Sequence, residues 1–216
     1  MQEPHIVTYV LMGVTILVSY LCFQNPDLFN RLKHNPYAEH RGEYYRLLTS
    51  GFVHGSWLHL GVNMFVFYSF GRFAEAEISS QGYFNFGFDP SVGHLIYLVL
   101  YLLTIVIANL GTFIDHRDNP SYSAIGASGA VSGATFCFVL FLPWEPIYLY
   151  AVLPIPSVIA GALFLAYSQY AANKGGDNID HSAHFYGAIA MPALLMLLRP
   201  GLVSHFLQQL IGGLPF

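Results

Sequence analysis

The sequence predicts an all-α membrane protein: a six-transmembrane-helix bundle with an interfacial first connector. Three observations carry that expectation. Of 216 residues, 55% are hydrophobic and only 9% charged, against about 25% charged in soluble domains. Apolar runs free of charge recur along the chain at close to the about 20 residues that a helix needs to cross hydrocarbon. Between these runs stand charges, prolines and glycines, and no repeat, low-complexity tract or shift of composition divides residues 1–216 into more than one domain.

The first run, 6–23, contains no Asp, Glu, Lys or Arg. The opening Met1-Gln2-Glu3-Pro4 carries no basic leader and no small-residue cleavage pattern follows, so the run reads as a retained span. Residues 24–55 form a long connector holding Arg31, Lys33, Arg41 and Arg46, half of all the Lys and Arg. Its aromatics and prolines predict an ordered element at the membrane interface. Span two is placed at 56–71, inside the uncharged stretch from Arg46 to Arg72. Span three covers 94–114, bounded by Asp89 and Asp115. Span four covers 126–143 and stops at Pro143-Trp144-Glu145-Pro146. Pro154 and Pro156 exclude a helix interior but suit a first turn, so 145–156 is read as an extended interfacial connector and span five as 157–173. Span six, 182–198, ends at Arg199-Pro200-Gly201, with a kink expected at Pro192. The tail, 202–216, is too short and too broken by glycine and proline for a seventh span.

Net charge is −4 with ten histidines counted neutral, which offers no basic patch for nucleic acid. Cys22 and Cys137 both lie in apolar runs and read as small hydrophobes, not as a disulfide framework or a metal knot. No cofactor or metal is implied. Basic residues favour cytoplasmic loops. The first connector, Arg117 and Lys174 share one side, and the count would place that side in the cytoplasm.

The chemistry lies in polar residues near the starts of spans two, four and six. Even-numbered spans all begin on the same side, so these residues meet at one depth, where an uncompensated polar group is costly. Ser128 sits among Gly126, Ala127, Gly129 and Ala130, whose small side chains admit another backbone or a carbonyl. Alone, the segment reads as a small-residue packing face, with Gly129 and Gly133 at the usual spacing. His184 follows Ala183 and precedes Gly187, so span six presents a matching face that brings an imidazole toward the serine. His59 and Asn63 are i and i+4 on span two, pointing the same way. Both donate hydrogen bonds, as an anion-stabilising shell requires. Their bland alternative is interhelical hydrogen bonding. Asp180, four residues before His184, could reach its ring if the helix begins early, but it reads rather as a loop or N-cap group. His181 reads as structural or interfacial, which leaves a dyad without a carboxylate as the working reading.

In this order and spacing the residues resemble the rhomboid family of intramembrane serine proteases. The resemblance rests on Gly126-Ala127-Ser128-Gly129, Ala183-His184 with Gly187, His59 with Asn63, and His54. It also rests on Gly71 with Glu75, and on Glu43-Tyr44-Tyr45-Arg46, where Tyr45 stands at a common tryptophan position. It implies hydrolysis of transmembrane protein substrates near a helix-destabilised segment, after a small residue. Ser128 would be the nucleophile and His184 the base, with His59, Asn63 and the Ser128 N–H as oxyanion hole. Tyr45, Arg46, His54, Gly126, Gly129 and Gly187 would be structural. It further implies cytoplasmic termini, against the charge count, and the short six-span form suggests a prokaryotic inner membrane. Two positions depart from the pattern. Ser132 replaces an aromatic that stacks on the histidine, so His184 is either held less firmly or held by another aromatic such as Phe185 or Tyr186. Met191 replaces a second glycine, so spans four and six are expected to separate slightly there. Two competing readings remain: an inactive relative that binds transmembrane segments, and a metal-ion transporter using His54, His59, His181 and His184. Substrate identity and oligomeric state are not legible.

Overall fold

The computed structural model describes residues 5–79, 89–149 and 152–213. The chain begins with α1 (Ile6–Gln24). A connector follows with three short helices, α2 (Pro26–Leu32), α3 (Pro36–Glu39) and α4 (Arg46–Thr49), and a 3-10 turn at Ser50–Phe52. Then come α5 (Trp57–Ile78), α6 (Pro90–His116) and α7 (Ser128–Phe141). A hairpin of β1 (Pro146–Leu149) and β2 (Leu153–Pro156) leads to α8 (Ser157–Lys174), α9 (His181–Leu198) and α10 (Gly201–Gly212). Among the described residues, α1, Ser91–His116 of α6, and α9 are long and apolar enough to cross a membrane; α7 is a shorter apolar helix of 14 residues.

Four elements depart from the sequence expectation or add to it. The chain is mostly helical but not all-α: the 145–156 connector pairs with itself as an antiparallel hairpin. Pro146 stands opposite Pro156 at its open end, where neither needs an N–H for the ladder. Second, α5 continues to Ile78, beyond the charges that bounded the span at 71. Glu75 is fully buried there because its carboxylate has donors. Oε1 accepts from the Val7 N–H at 2.9 Å, and Oε2 from the Thr8 N–H at 2.8 Å and the Thr8 hydroxyl at 2.6 Å. It thereby caps orphan N–H groups at the start of α1. Third, the tail forms α10, so glycine and proline only bound a helix there. Fourth, α7 starts at Ser128 itself, because Gly126 takes φ +122° and holds the preceding residues out of the helix.

Small residues set the helix spacing. A Cβ built on Gly187 would stand 2.1 Å from the Gly129 carbonyl oxygen, and one on Gly129 would stand 2.7 Å from Ala108 Cβ. One turn on, Gly133 faces Gly187, Met191 and Thr104. These pairs make α7 and α9 parallel and α6 antiparallel to both. The separation expected at Met191 is not seen: its side chain is fully buried and its Cβ would lie 3.1 Å from a Cβ on Gly133. Phe67, Tyr97, Tyr101, Phe141 and Leu195 fill the core around this contact.

The connector is ordered by Arg46, only 8% exposed. Its Nε and Nη2 engage Glu43 Oε2 at 2.7 and 2.6 Å, and Nη1 donates to the carbonyls of Asn30 at 2.6 Å and Lys33 at 3.1 Å. Those hydrogen bonds hold the Glu43 carboxyl below the usual carboxylate range. His34 ties the connector to the segment entering α7. Its N–H donates to the Ala124 carbonyl at 3.0 Å, and its carbonyl accepts from the Ala124 N–H at 3.1 Å. Its buried ring meets Glu39 Oε1 at 2.6 Å.

Candidate functional site

Ser128 is the first residue of α7, with no side chain capping that helix end. An uncapped N-terminus presents unpaired N–H groups and the positive end of the helix dipole. His184 lies in the first turn of α9. Because Gly129 and Gly187 let the two helices touch, His184 Nε2 comes to 2.8 Å from Ser128 Oγ. A hydroxyl and an imidazole at that distance can exchange a proton.

His59 and Asn63 project from α5 into the same space. The Asn63 amide donates to the His59 carbonyl at 3.0 Å, leaving a second N–H for another acceptor. The His59 ring rests on Gly126: a Cβ there would stand 2.9 Å from Cε1, 3.0 Å from Nε2, and 3.7 Å from Ser128 Oγ. Gly126 therefore serves twice, adopting a positive φ that L side chains avoid and leaving room for the ring. Its N–H donates to the Ser50 carbonyl at 3.1 Å.

His54 is fully buried behind His59, with ring centroids 4.8 Å apart and nearly perpendicular. Ser19 donates to the Phe52 carbonyl at 2.9 Å and lies 2.9 Å from His54 Nδ1. Ala127 N–H donates to His54 Nε2 at 3.4 Å. This pattern assigns the proton to Nδ1. Burial pushes the His54 pKa down to about 3, which keeps the ring neutral. His54 thus links α1 to the residue before Ser128.

Asp180 caps α9, accepting from the Ala183 N–H at 2.9 Å and from the Thr112 hydroxyl at 2.8 and 2.9 Å. His181 is buried, with Nε2 bonded to Asp177 at 3.0 Å. Tyr45 lies outside the site, half exposed, and donates to Glu43 at 3.1 Å. The aromatic beside His184 is neither Phe185 nor Tyr186. Those rings contact each other, and Tyr186 covers Gly111. Instead Phe164 of α8 lies 6.1 Å away at a 30° tilt, and His181 is edge-on at 5.9 Å. Phe164 carried no sequence signal, being one phenylalanine in an aromatic-rich span.

Ser128, His184, His59 and Asn63 border one cavity of about 770 Å3 between α5, α7 and α8. Ser132 and Thr135 line it below Ser128, and Ile147 and Ile155 of the hairpin contribute to its wall. Among the described residues no group of three or more His, Cys, Asp or Glu is placed to hold a metal ion.

Comparison with known proteins agrees with the family resemblance. Residues 41–200 match the family model of the rhomboid domain. The chain is 23% identical over 195 residues to RHOMBOID-like protein 12, mitochondrial, of Arabidopsis thaliana, covering 89% of this chain and 57% of that protein. It is 26% identical over 196 residues to Rhomboid protein 1, mitochondrial, of Saccharomyces cerevisiae, covering 87% and 51%. It is 31% identical over 164 residues to Rhomboid-like protein 11, chloroplastic, of Arabidopsis thaliana, covering 72% and 52%. The chain thus spans about half the length of these relatives. Their organellar names overturn the expectation of a prokaryotic inner membrane with cytoplasmic termini. The prokaryotic setting rested on the short six-span form and the cytoplasmic termini on the family resemblance, and neither carries information about the source membrane. With its family model covering most of the sequence, the chain belongs to the rhomboid family.

Proposed function

We propose that the chain is an intramembrane serine endopeptidase, with α1, α5, α6, α7, α8 and α9 as its six spans and an organellar bilayer as its setting. The observation that carries this reading is the 2.8 Å contact between Ser128 Oγ and His184 Nε2 beside an open cavity. His184 takes the Ser128 proton as the oxygen attacks a scissile carbonyl. The developing oxyanion is met by the α7 N-terminus, the free Asn63 N–H and the His59 ring. A donor of this kind is typically worth ~3–4 kcal/mol of barrier. His184 then returns the proton to the leaving amine, and water repeats the attack on the acyl-enzyme. Asp180 is occupied by Thr112 and the α9 cap, so the base works without a carboxylate partner.

The substrate is a transmembrane protein segment. A helical carbonyl is hydrogen-bonded and shielded, so the segment must unwind locally before it reaches Ser128. The cavity between α5 and α8 is wide enough to take an extended stretch and the water that completes the reaction. The test is cleavage of a tagged transmembrane substrate in liposomes, together with fluorophosphonate labelling. The parent is expected to cut and to label at Ser128; Ser128→Ala and His184→Phe abolish cutting. Equal cutting by either variant removes the assignment. Substrate binding without labelling or cutting favours an inactive binder of transmembrane segments.

A further inference from the structure

At the end of the bundle remote from Ser128, α10 contributes no residue to the cavity. Packing registers fix the levels at which the helices end there. Ala108 and Thr104 of α6 oppose Gly129 and Gly133 of α7. Continued to Phe141, that register reaches Ile96. The start of α6 at Pro90 lies a further six residues on, or about 9 Å. α9 is parallel to α7, with Gly187 beside Gly129 and Met191 beside Gly133, so it ends at the level of α7. α8 starts there too, since Gly161 faces Val139. The bundle therefore has a step: α7, α8 and α9 stop about one helix diameter short of α6.

α10 lies in that step and runs crosswise. It leaves α9 at Gly201, and at its other end the Trp144 indole, just past α7, donates to the Gln209 carbonyl at 3.0 Å and covers Gly213. Both ends thus sit at one depth. Leu202 and Phe206 pack upward against the core. Val203, Leu207 and Ile211 form an exposed apolar stripe at i, i+4 and i+8. Ser204, His205 and Gln208 occupy the third side, and the helix contains no Asp, Glu, Lys or Arg. Three sides thus serve protein, an unassigned apolar environment, and water. The apolar stripe starts one turn of chain after Leu197 and Leu198 of α9, both exposed at the end of an apolar span.

We propose that α10 is an interfacial helix lying in the plane of the bilayer, with Val203, Leu207 and Ile211 inserted among lipid acyl chains. The partner is the lipid surface, because the stripe continues a span's lipid face and lies parallel to the membrane plane. An amphipathic helix lying this way buries its apolar side at the headgroup–acyl boundary.

Nitroxide labels on single cysteines at 203, 204, 206, 207, 208 and 211 test this in phosphatidylcholine–phosphatidylglycerol liposomes. Cys22 and Cys137 are buried and serve as silent background. Labels at 203, 207 and 211 are expected to collide severalfold more with oxygen than with a water-soluble nickel chelate. Labels at 204 and 208 should show the reverse, and the label at 206 should meet little of either. Nickel access along the stripe would overturn the proposal, and so would protection of the stripe from both quenchers, as expected under a second protein copy. Where a labelled variant loses its fold, Leu207→Trp in a Trp57→Phe background asks the same question. Brominated lipid must quench its added fluorescence, and absence of quenching removes the proposal.

Discussion

At the scale of single residues, the site depends on atoms that are missing as much as on those present. Gly187 has the tightest constraint, since a methyl there meets backbone, the Gly129 carbonyl, at 2.1 Å. No rotamer change relieves that clash, so α7 and α9 must part. Gly187→Ala is therefore expected to cost at least ~1–3 kcal/mol of stability. It should also lengthen the Ser128–His184 contact, and misplacement by about 1 Å can cost ~10²-fold in rate. Thermal unfolding in detergent and the rate of fluorophosphonate labelling measure the two effects; unchanged labelling would separate helix packing from the dyad. His54 gives a pH dependence. Its folded pKa of about 3 lies below the ordinary imidazole value, so the unfolded chain binds the proton more readily. The associated stability is complete above about pH 6.5 and is lost as the pH falls toward 3, at up to ~1.4 kcal/mol per pH unit. His54→Gln should flatten that part of the profile, read from melting temperatures between about pH 7 and pH 4. A profile as steep as the parent's would assign the acid sensitivity to other groups.

At the scale of elements, the first connector behaves as a folded part rather than a tether, and Arg46 is the reason. Its fork closes on Glu43 while one nitrogen holds two carbonyls of the α2 region. Lysine lacks the planar fork, so Arg46→Lys is not conservative here. Arg46→Met should destabilise the connector by roughly 1.5–3 kcal/mol, the worth of hydrogen bonds to a charged group. The readout is faster trypsin cleavage at Arg31, Lys33 or Arg41 in folded protein, since local opening exposes backbone. Unaltered cleavage would show that the His34–Ala124 bridge suffices. The same element shows what a sequence conceals. Gaps between charges locate α1, α6, α8 and α9 well because desolvation penalises charge in an apolar run. They misjudge α5, whose Glu75 is buried against partners on α1 that no local pattern announces. The motif spacing brought Ser128, His184, His59 and Asn63 to one cavity. It gave no sign of the aromatic beside His184, because Phe164 reaches the ring from another helix. The hairpin and α10 were hidden for a related reason: proline and glycine mark where helices stop, not what forms between the stops.

At the scale of the whole molecule, the bundle separates an end with an open cavity from an end where polar groups are tied down. From His59 to Glu75, α5 rises about 24 Å, so the Ser128–His184 pair and the buried carboxylate lie near opposite ends of the bundle. Near Ser128 the structure leaves a cavity, an uncapped helix start and the polar side chains of His59, Asn63 and His184 along its wall. Around Glu75 donors converge instead: two N–H groups and a hydroxyl from α1, with His94 Nδ1 of α6 2.8 Å from Oε1. One carboxylate thereby joins α1, α5 and α6. Glu75→Gln keeps the shape but replaces one acceptor oxygen with a donor, which then faces N–H groups that also donate. A buried polar group left unsatisfied costs about 1–3 kcal/mol, so the melting temperature should fall. Because the substitution lies about 24 Å along α5 from His59, fluorophosphonate labelling well below the transition should keep the parent's rate. Slower labelling of still-folded protein would instead mean that the α1–α5–α6 clasp reaches the dyad, through α5 and the His59 ring that rests on Gly126.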